Sequence, residues 1–180
     1  MQPIFLIGYM GCGKTTLARS VARATTLDDI DLDAYIEGRF HRTISDIFAA
    51  EGEARFRDIE QRMLHEVADF EDVLIACGGG TPCFADNMAY MNARGTTVWL
   101  DATVGRMHER LIKGRRKRPL LANLTDEQIR ATIEEGMAKR TPFYSQAKIV
   151  FPADLLDDRA QLTASTERFI EIAQLTHYLK

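Results

Sequence analysis

The sequence predicts an α/β protein with a parallel sheet covered by helices on both faces. Two observations predict it. Short apolar runs end at glycine, proline or charge, and longer amphipathic stretches stand between them. Strands that alternate with helices imply crossover connections, and crossovers join parallel strands. The 180 residues are the size of one domain with small inserts.

Pro3 to Gly8 (PIFLIG) is apolar without alternation, as in a strand buried on both faces. Gly13 to Thr25 carries Leu17, Ala18, Val21 and Ala22 on one side of a helix. Ile30 and Leu32 belong to a shorter second strand. Thr43 to Ala50 is a short helix with a hydroxyl at its start. Arg55 to Phe70 is a longer one, with Phe56, Ile59, Met63 and Val67 on a stripe. Asp72 to Cys77 (DVLIAC), Thr97 to Leu100 (TVWL) and Lys148 to Phe151 (KIVF) complete five expected strands. Helices are expected over Thr103–Ile112, Thr125–Arg140 and Asp158–Tyr178, the last with Leu162, Phe169, Ile170 and Ala173 toward the core. Leu111 to Leu124 holds five basic residues among the six from Lys113 to Arg118 and reads as a mobile loop.

Composition excludes several classes. Apolar residues make up 46%, enough for a substantial core, and the net charge of −3 argues against a globally basic nucleic-acid binder. No apolar run approaches the ~18 residues of a membrane span. The apolar start has no basic region ahead of it, unlike a secretory signal. Cys12, Cys77 and Cys83 are unevenly spaced and suggest neither a disulfide framework nor a zinc site, which fits a reducing cytoplasm. Charge is segregated: 14 acids against five arginines from Asp28 to Asp72, then seven bases against Glu109 from Arg106 to Arg118. Solvated faces account for such runs, and so does a chain that holds a cation and a polyphosphate together.

Gly8 to Thr15 (GYMGCGKT) matches G-x-x-x-x-G-K-[ST], the P-loop pattern. A polyphosphate needs several backbone N–H groups aimed at one point, and Gly8, Gly11 and Gly13 allow the chain to curl that tightly. The helix that follows adds its positive end. Lys14 supplies a point charge, and the Thr15 hydroxyl is a Mg²⁺ ligand. This points to a three-layer P-loop NTPase fold with a five-stranded parallel sheet. No N-K-x-D guanine reader occurs, which argues against a GTPase switch. Asp101 ends TVWLD as an acid after a strand would in an ATPase motor, but a plain strand end is the preferred reading. A small kinase for a metabolite fits the length best.

Asp31 and Asp33 stand at the end of the second strand, two apart and so on one face if the chain is extended. Ligands of open parallel sheets bind outside the carboxyl ends of strands, so this pair would meet the P-loop. One carboxylate can anchor Mg²⁺ and the other can accept a hydroxyl proton. Arg57 and Glu60 are helix neighbours; a surface ion pair of little weight is the plainer reading, an oriented guanidinium the functional one. Gly78, Gly79 and Gly80 suggest a ligand against bare backbone, with a tight turn as the alternative.

Together these residues resemble the shikimate kinase family over nearly the whole chain. GYMGCGKTT resembles its P-loop, DLD at Asp31–Asp33 its second-strand D-x-D, and GEARFRDIE at Gly52–Glu60 its F-R-x-x-E helix. ACGGGTP matches its triple glycine, RPLL at Arg118–Leu121 its lid, and AKRTPFY at Ala138–Tyr144 its K-R-x-P-x-Y helix end. Asp29, Cys77 and Thr26 depart from the family's habit of an apolar residue, a small hydroxyl residue and a glycine at those places.

The resemblance implies ATP-dependent phosphorylation of the shikimate 3-hydroxyl, with Mg²⁺ as cofactor. It implies one domain over 1–180, with a shikimate-binding helical insert at 33–61 and a lid at 111–124. Gly11, Cys12, Gly13, Lys14, Thr15 and Thr16 would hold the ATP phosphates, and Arg110 would lie against the adenine. Thr15 and Asp31 would serve the metal. Asp33 would hold the substrate hydroxyls and stand as candidate base. Arg57 and Arg140 would clamp the carboxylate, with Glu60 orienting Arg57. Gly78, Gly79 and Gly80 would border the ring, and Arg118 would swing in to the transferring phosphoryl group. ATP and shikimate are the expected partners, with no nucleic acid or membrane, and the chain is expected to be a cytoplasmic monomer. Two rivals remain at this point: another small P-loop kinase, for gluconate or a nucleoside monophosphate, and a catalytically silent binding module.

Overall fold

The computed structural model describes residues 1–115, 121 and 123–180. Five parallel strands form one sheet in the order β2-β3-β1-β4-β5. They are β1 (Ile4–Ile7), β2 (Asp28–Asp31), β3 (Val73–Ala76), β4 (Thr96–Asp101) and β5 (Ile149–Pro152). Every residue of β1 and β3 is buried, so both sheet faces are covered. The edges differ: β2 is acidic and partly open, and Val150 of β5 faces solvent.

The helices are α1 (Lys14–Ala24), α2 (Leu32–Phe40), α3 (Ile44–Val67), α4 (Asn87–Arg94), α5 (Val104–Lys113), α6 (Asp126–Tyr144) and α7 (Arg159–Ile172). Helix α1 packs on α7 and over β2 and β3; α2 packs on α3, and α5 on α6. The apolar stripes read from sequence face inward: Leu17, Ala18, Val21 and Ala22 of α1, Phe56, Ile59 and Val67 of α3, Phe169 and Ile170 of α7. Met63, Leu162 and Ala173 are half-buried at the margin of that core.

Several expectations are corrected. The second strand ends at Asp31, and Leu32 opens α2 instead of continuing it. Asp31 caps that helix, its Oδ1 accepting from the Ala34 N–H at 3.2 Å, so Asp31 and Asp33 do not share one face of a strand. Helix α2 lacks a strong apolar stripe, and α4 is a short NMAYMNAR segment; neither shows as a period in the sequence. Thr43 starts α3 with a full capping box to Asp46, as its hydroxyl predicts. The two helices expected there join at Gly52, whose φ of 78° and ψ of 173° break the helical path. Helix α6 runs one turn past Arg140, through Pro142 to Tyr144. The tail helix stops at Ile172; Gln174, at φ 57°, turns the chain into a 3₁₀ turn at Thr176–Tyr178. Thr26 needs no glycine, because α1 ends on an extended Thr25 whose hydroxyl donates to the Val21 carbonyl at 2.8 Å.

Strand order places the site. β1 lies between β3 and β4, so chains leave its carboxyl end and that of β3 in different directions and a crevice opens there. Asp31 of β2 aligns with Ala76 of β3, which aligns with Leu6 of β1. The P-loop, the Asp31–Asp33 turn and the Gly78–Gly80 run therefore emerge side by side.

Candidate active site

The P-loop is curled as its glycines require, with φ of 139°, 82° and 107° at Gly8, Gly11 and Gly13. Gly13 is left-handed immediately before α1, so the first N–H groups of that helix face the crevice mouth. Lys14 donates to the Gly8 and Tyr9 carbonyls at 2.8 and 3.1 Å. The Thr15 hydroxyl donates to Asp31 Oδ2 at 2.8 Å. A cleft of about 450 Å³ is lined by Gly11, Gly13, Lys14, Thr15, Thr16, Asp31, Asp33, Gly78, Gly79 and Arg110.

Asp33 stands in the floor of this cleft, in the first turn of α2. The surrounding walls strip water from its carboxylate, and Asp31 and Glu60 add negative charge, so its pKa is pushed up to about 6 against the pull of Lys14. The side chain is enclosed by protein atoms yet stays open to solvent through the cleft mouth.

The glycine run joins this cleft to a second cavity. A Cβ on Gly78 would lie 3.2 Å from Asp33 Oδ1, one on Gly79 3.0 Å from Arg140 Nη1, and one on Gly80 2.5 Å from Arg57 Nη2. Glycine is needed here for space: three charged side chains lean on three successive backbones. The second cavity, about 520 Å³, is lined by Glu53, Arg57, Gly80, Cys83, Phe84 and Arg140. The two arginines and the phosphate cradle thus occupy adjoining cavities that meet at Gly79–Gly80 rather than one undivided cleft.

Arg57 and Glu60 are not a surface pair. Glu60 is 1% exposed; it accepts from Arg57 Nη1 at 2.7 Å and from the Thr81 hydroxyl at 2.5 Å. The second half of α3 turns Glu60 toward the glycine turn, and a carboxylate buried there requires both partners. Burial works against the Arg57 charge, and Glu60 and Glu53 more than restore it. Arg140 is held differently, with its guanidinium 4.9 Å over the Tyr9 ring.

Tyr9 was not legible as a site residue. Its hydroxyl donates to the Thr132 carbonyl at 3.1 Å, and its ring fills the space over Gly136, where a Cβ would come within 2.5 Å of ring carbon Cε2. The signal available in sequence was the spacing Thr132, Gly136, Arg140, Tyr144, one helix face four residues apart.

Arg110 is largely committed to backbone. It donates to the Ala153 and Asp154 carbonyls at 2.9 and 2.8 Å and pairs with Asp157 at 2.7 Å, tying the P-loop side of the cleft to the loop after β5. Arg118 and the rest of 116–120, with residue 122, lie outside the described residues, and Leu111 to Lys113 of the expected lid belong to α5. Asp101 ends β4 away from the residues that line the cleft, as a plain strand end does.

A P-loop at the switch point of a parallel sheet, a carboxylate in the cleft floor and an adjoining cationic cavity define a small P-loop phosphotransferase. The sequence model of the shikimate kinase family matches residues 10–171. A shikimate kinase of Phocaeicola vulgatus is 53% identical over 93% of this chain and 95% of its own. The crystal structure of shikimate kinase from Bacteroides thetaiotaomicron superposes with a TM-score of 0.93 at 47% identity, covering 96% of this chain and 98% of that one. The shikimate kinase from Acinetobacter baumannii, in complex with shikimate, matches with a TM-score of 0.83 at 28% identity over 98% and 95% of the two chains. The chain belongs to the shikimate kinase family.

Proposed function

We infer that the chain transfers the γ-phosphoryl group of ATP to the 3-hydroxyl of shikimate, giving 3-phosphoshikimate on the route to chorismate and aromatic amino acids. The observation that carries this reading is the glycine run, which brings a phosphate cradle and a two-arginine cavity together in a chain of this family. The anion cradle of Gly11–Thr16 and Lys14 holds the ATP phosphates. Arg57 and Arg140 receive the acceptor carboxylate, with Glu60 fixing the fork of Arg57. Gly78, Gly79 and Gly80 border the ring. Asp33 faces the reacting hydroxyl. Arg110 is so fully bonded that a contact with adenine would use the flat face of its guanidinium.

Thr15 and Asp31 offer two hard oxygen ligands 2.8 Å apart, which fits Mg²⁺, an ion that takes few protein ligands and completes its shell with water and phosphate oxygens. Bound there it would neutralise phosphate charge. Asp33 is ionised at neutral pH, and the loose transition state of phosphoryl transfer asks it only to hold the hydroxyl and take the proton late. Arg118, from sequence, meets the transferring group, and residues 111–124 form the lid; residues 33–61 form the acceptor arm. The chain acts as a monomer in this reading, and its free cysteines suit the cytoplasm. No helix among the described residues is long and apolar enough to cross a membrane.

An ADP-release assay over shikimate, gluconate and nucleoside monophosphates tests the reading. Turnover is expected with shikimate alone and is lost on chelating Mg²⁺; equal turnover with another acceptor would reject it. Arg57→Ala is expected to weaken shikimate binding by about 10–100-fold in a titration, the weight of a lost charge-assisted pair.

A further inference from the structure

The last turn of α6 holds, behind the glycine turn that borders the acceptor cavity, a tyrosine that these roles leave unused. Tyr144 is fully buried, and its hydroxyl donates to the Gly79 carbonyl at 2.6 Å. It stands four residues after Arg140, so one helix face carries both. Arg140 approaches the same glycine from its Cα side, with Nη1 3.0 Å from where a Cβ would sit. The neighbouring carbonyls are fixed within the turn itself: Gly78 accepts from the Thr81 N–H at 3.1 Å and Gly80 from the Cys83 N–H at 2.9 Å. The middle carbonyl is held from a distant element instead. A peptide unit is planar and trans, so a carbonyl fixed on one side aims the following N–H to the other. Tyr144 therefore sets the direction of the Gly80 N–H, and Gly80 lines the cavity of Arg57 and Arg140. Burial pushes the Tyr144 hydroxyl up, against the pull of Arg140, so it stays a protonated donor across the working range.

We propose that Tyr144 is a positioning residue for the acceptor: by anchoring the Gly79 carbonyl it holds the glycine turn, and the Arg140 guanidinium leaning on it, in the arrangement that receives the acceptor. This rests on the assignment of the Arg57–Arg140 cavity to shikimate. Tyr144→Phe keeps the ring and removes the donor. The expected result is a shikimate Kd and KM raised about 5–20-fold, the scale of one lost neutral hydrogen bond with some loosening of the turn, while the KM for ATP stays within twofold and kcat falls less than threefold. A double-mutant cycle with Arg140→Lys is expected to be non-additive. A shikimate Kd within twofold of wild type, an ATP KM that rises in step, additive effects in the cycle, or a variant that does not fold would each overturn the proposal, the last two by making Tyr144 a structural residue only. Arg57→Ala separates the two failures. If its shikimate affinity is unchanged, the cavity assignment is wrong; if it weakens and Tyr144→Phe does not, only the role of Tyr144 falls.

Discussion

Asp33 shows how one residue can serve the site at the expense of the fold. Its carboxyl is pushed up to about 6 by the cleft walls and by Asp31 and Glu60, whereas an unfolded chain would titrate it near the ordinary carboxylate value. Native protein therefore binds the proton more tightly than unfolded protein. Below the unfolded pKa both states are protonated and no penalty exists; the penalty grows as pH rises and is complete above about 6. Because the side chain remains open to solvent at the cleft mouth, the cost is discounted to about 1 kcal/mol. Asp33→Asn should accordingly be more stable than wild type by about that amount at pH 8, with the advantage fading toward pH 4, while its turnover collapses. Denaturant melts at both pH values check the sign; a variant less stable at pH 8 than at pH 4, relative to wild type, would contradict it. In wild type, kcat/KM should decline as pH falls through about 6. The place of Asp33 beside the phosphate loop was legible from D-x-D next to a P-loop. Its environment was not, because Glu60 joins it only through α3; the spacing of Arg57 and Glu60 by itself read more plainly as a surface pair, and only the family resemblance had Glu60 orient Arg57.

At the scale of elements, the site depends on which helix faces the glycine turn. Helix α3 delivers Arg57 and Glu60 after the break at Gly52, and α6 delivers Arg140 and Tyr144 on a face that also seats Tyr9. The glycines between them are not alike. Gly8 sits at φ 139° with the Leu100 carbonyl 2.8 Å from any Cβ, so both conformation and space forbid a side chain. Gly80 has an ordinary φ of −92°, and its obstacle is the flexible tip of Arg57. Gly80→Ala is thus expected to fold with a loss within about 1 kcal/mol and to raise the shikimate KM about tenfold by displacing Arg57, a binding loss of about 1.4 kcal/mol. Thermal melts and steady-state kinetics decide this; a variant that fails to fold, or one with wild-type KM, would show that the turn tolerates or needs something else. Caps were readable, as Thr43, Thr103 and Thr125 show, since each hydroxyl accepts from the N–H three residues on. Helices α2 and α4 were not, because short helices with weak stripes are held by what they pack on.

For the molecule as a whole, strand order β2-β3-β1-β4-β5 brings three loops from distant parts of the chain to one end of the sheet. Ligands bound there would bridge the chain segments that follow β1, β2 and β3 and should stabilise the fold by mass action. Nucleotide with Mg²⁺ at about 100 times its Kd contributes roughly 2.7 kcal/mol, or a Tm increase of about 5–10 °C for a chain of this size. Shikimate alone should act likewise through Arg57 and Arg140, and a melting curve unmoved by either ligand would count against the site. The alternation of apolar runs with amphipathic stretches and the P-loop follow from sequence alone, because burial periodicity and phosphate binding are local demands on residue type and spacing. What only the tertiary structure decided is the contact of Asp33, Arg140 and Arg57 with three successive glycines, the burial of Glu60, the seating of Tyr9 on α6 and the bond of Tyr144 to the glycine turn. Those contacts join residues tens of positions apart, and no local period records which helix face will meet which loop once the sheet has set their places.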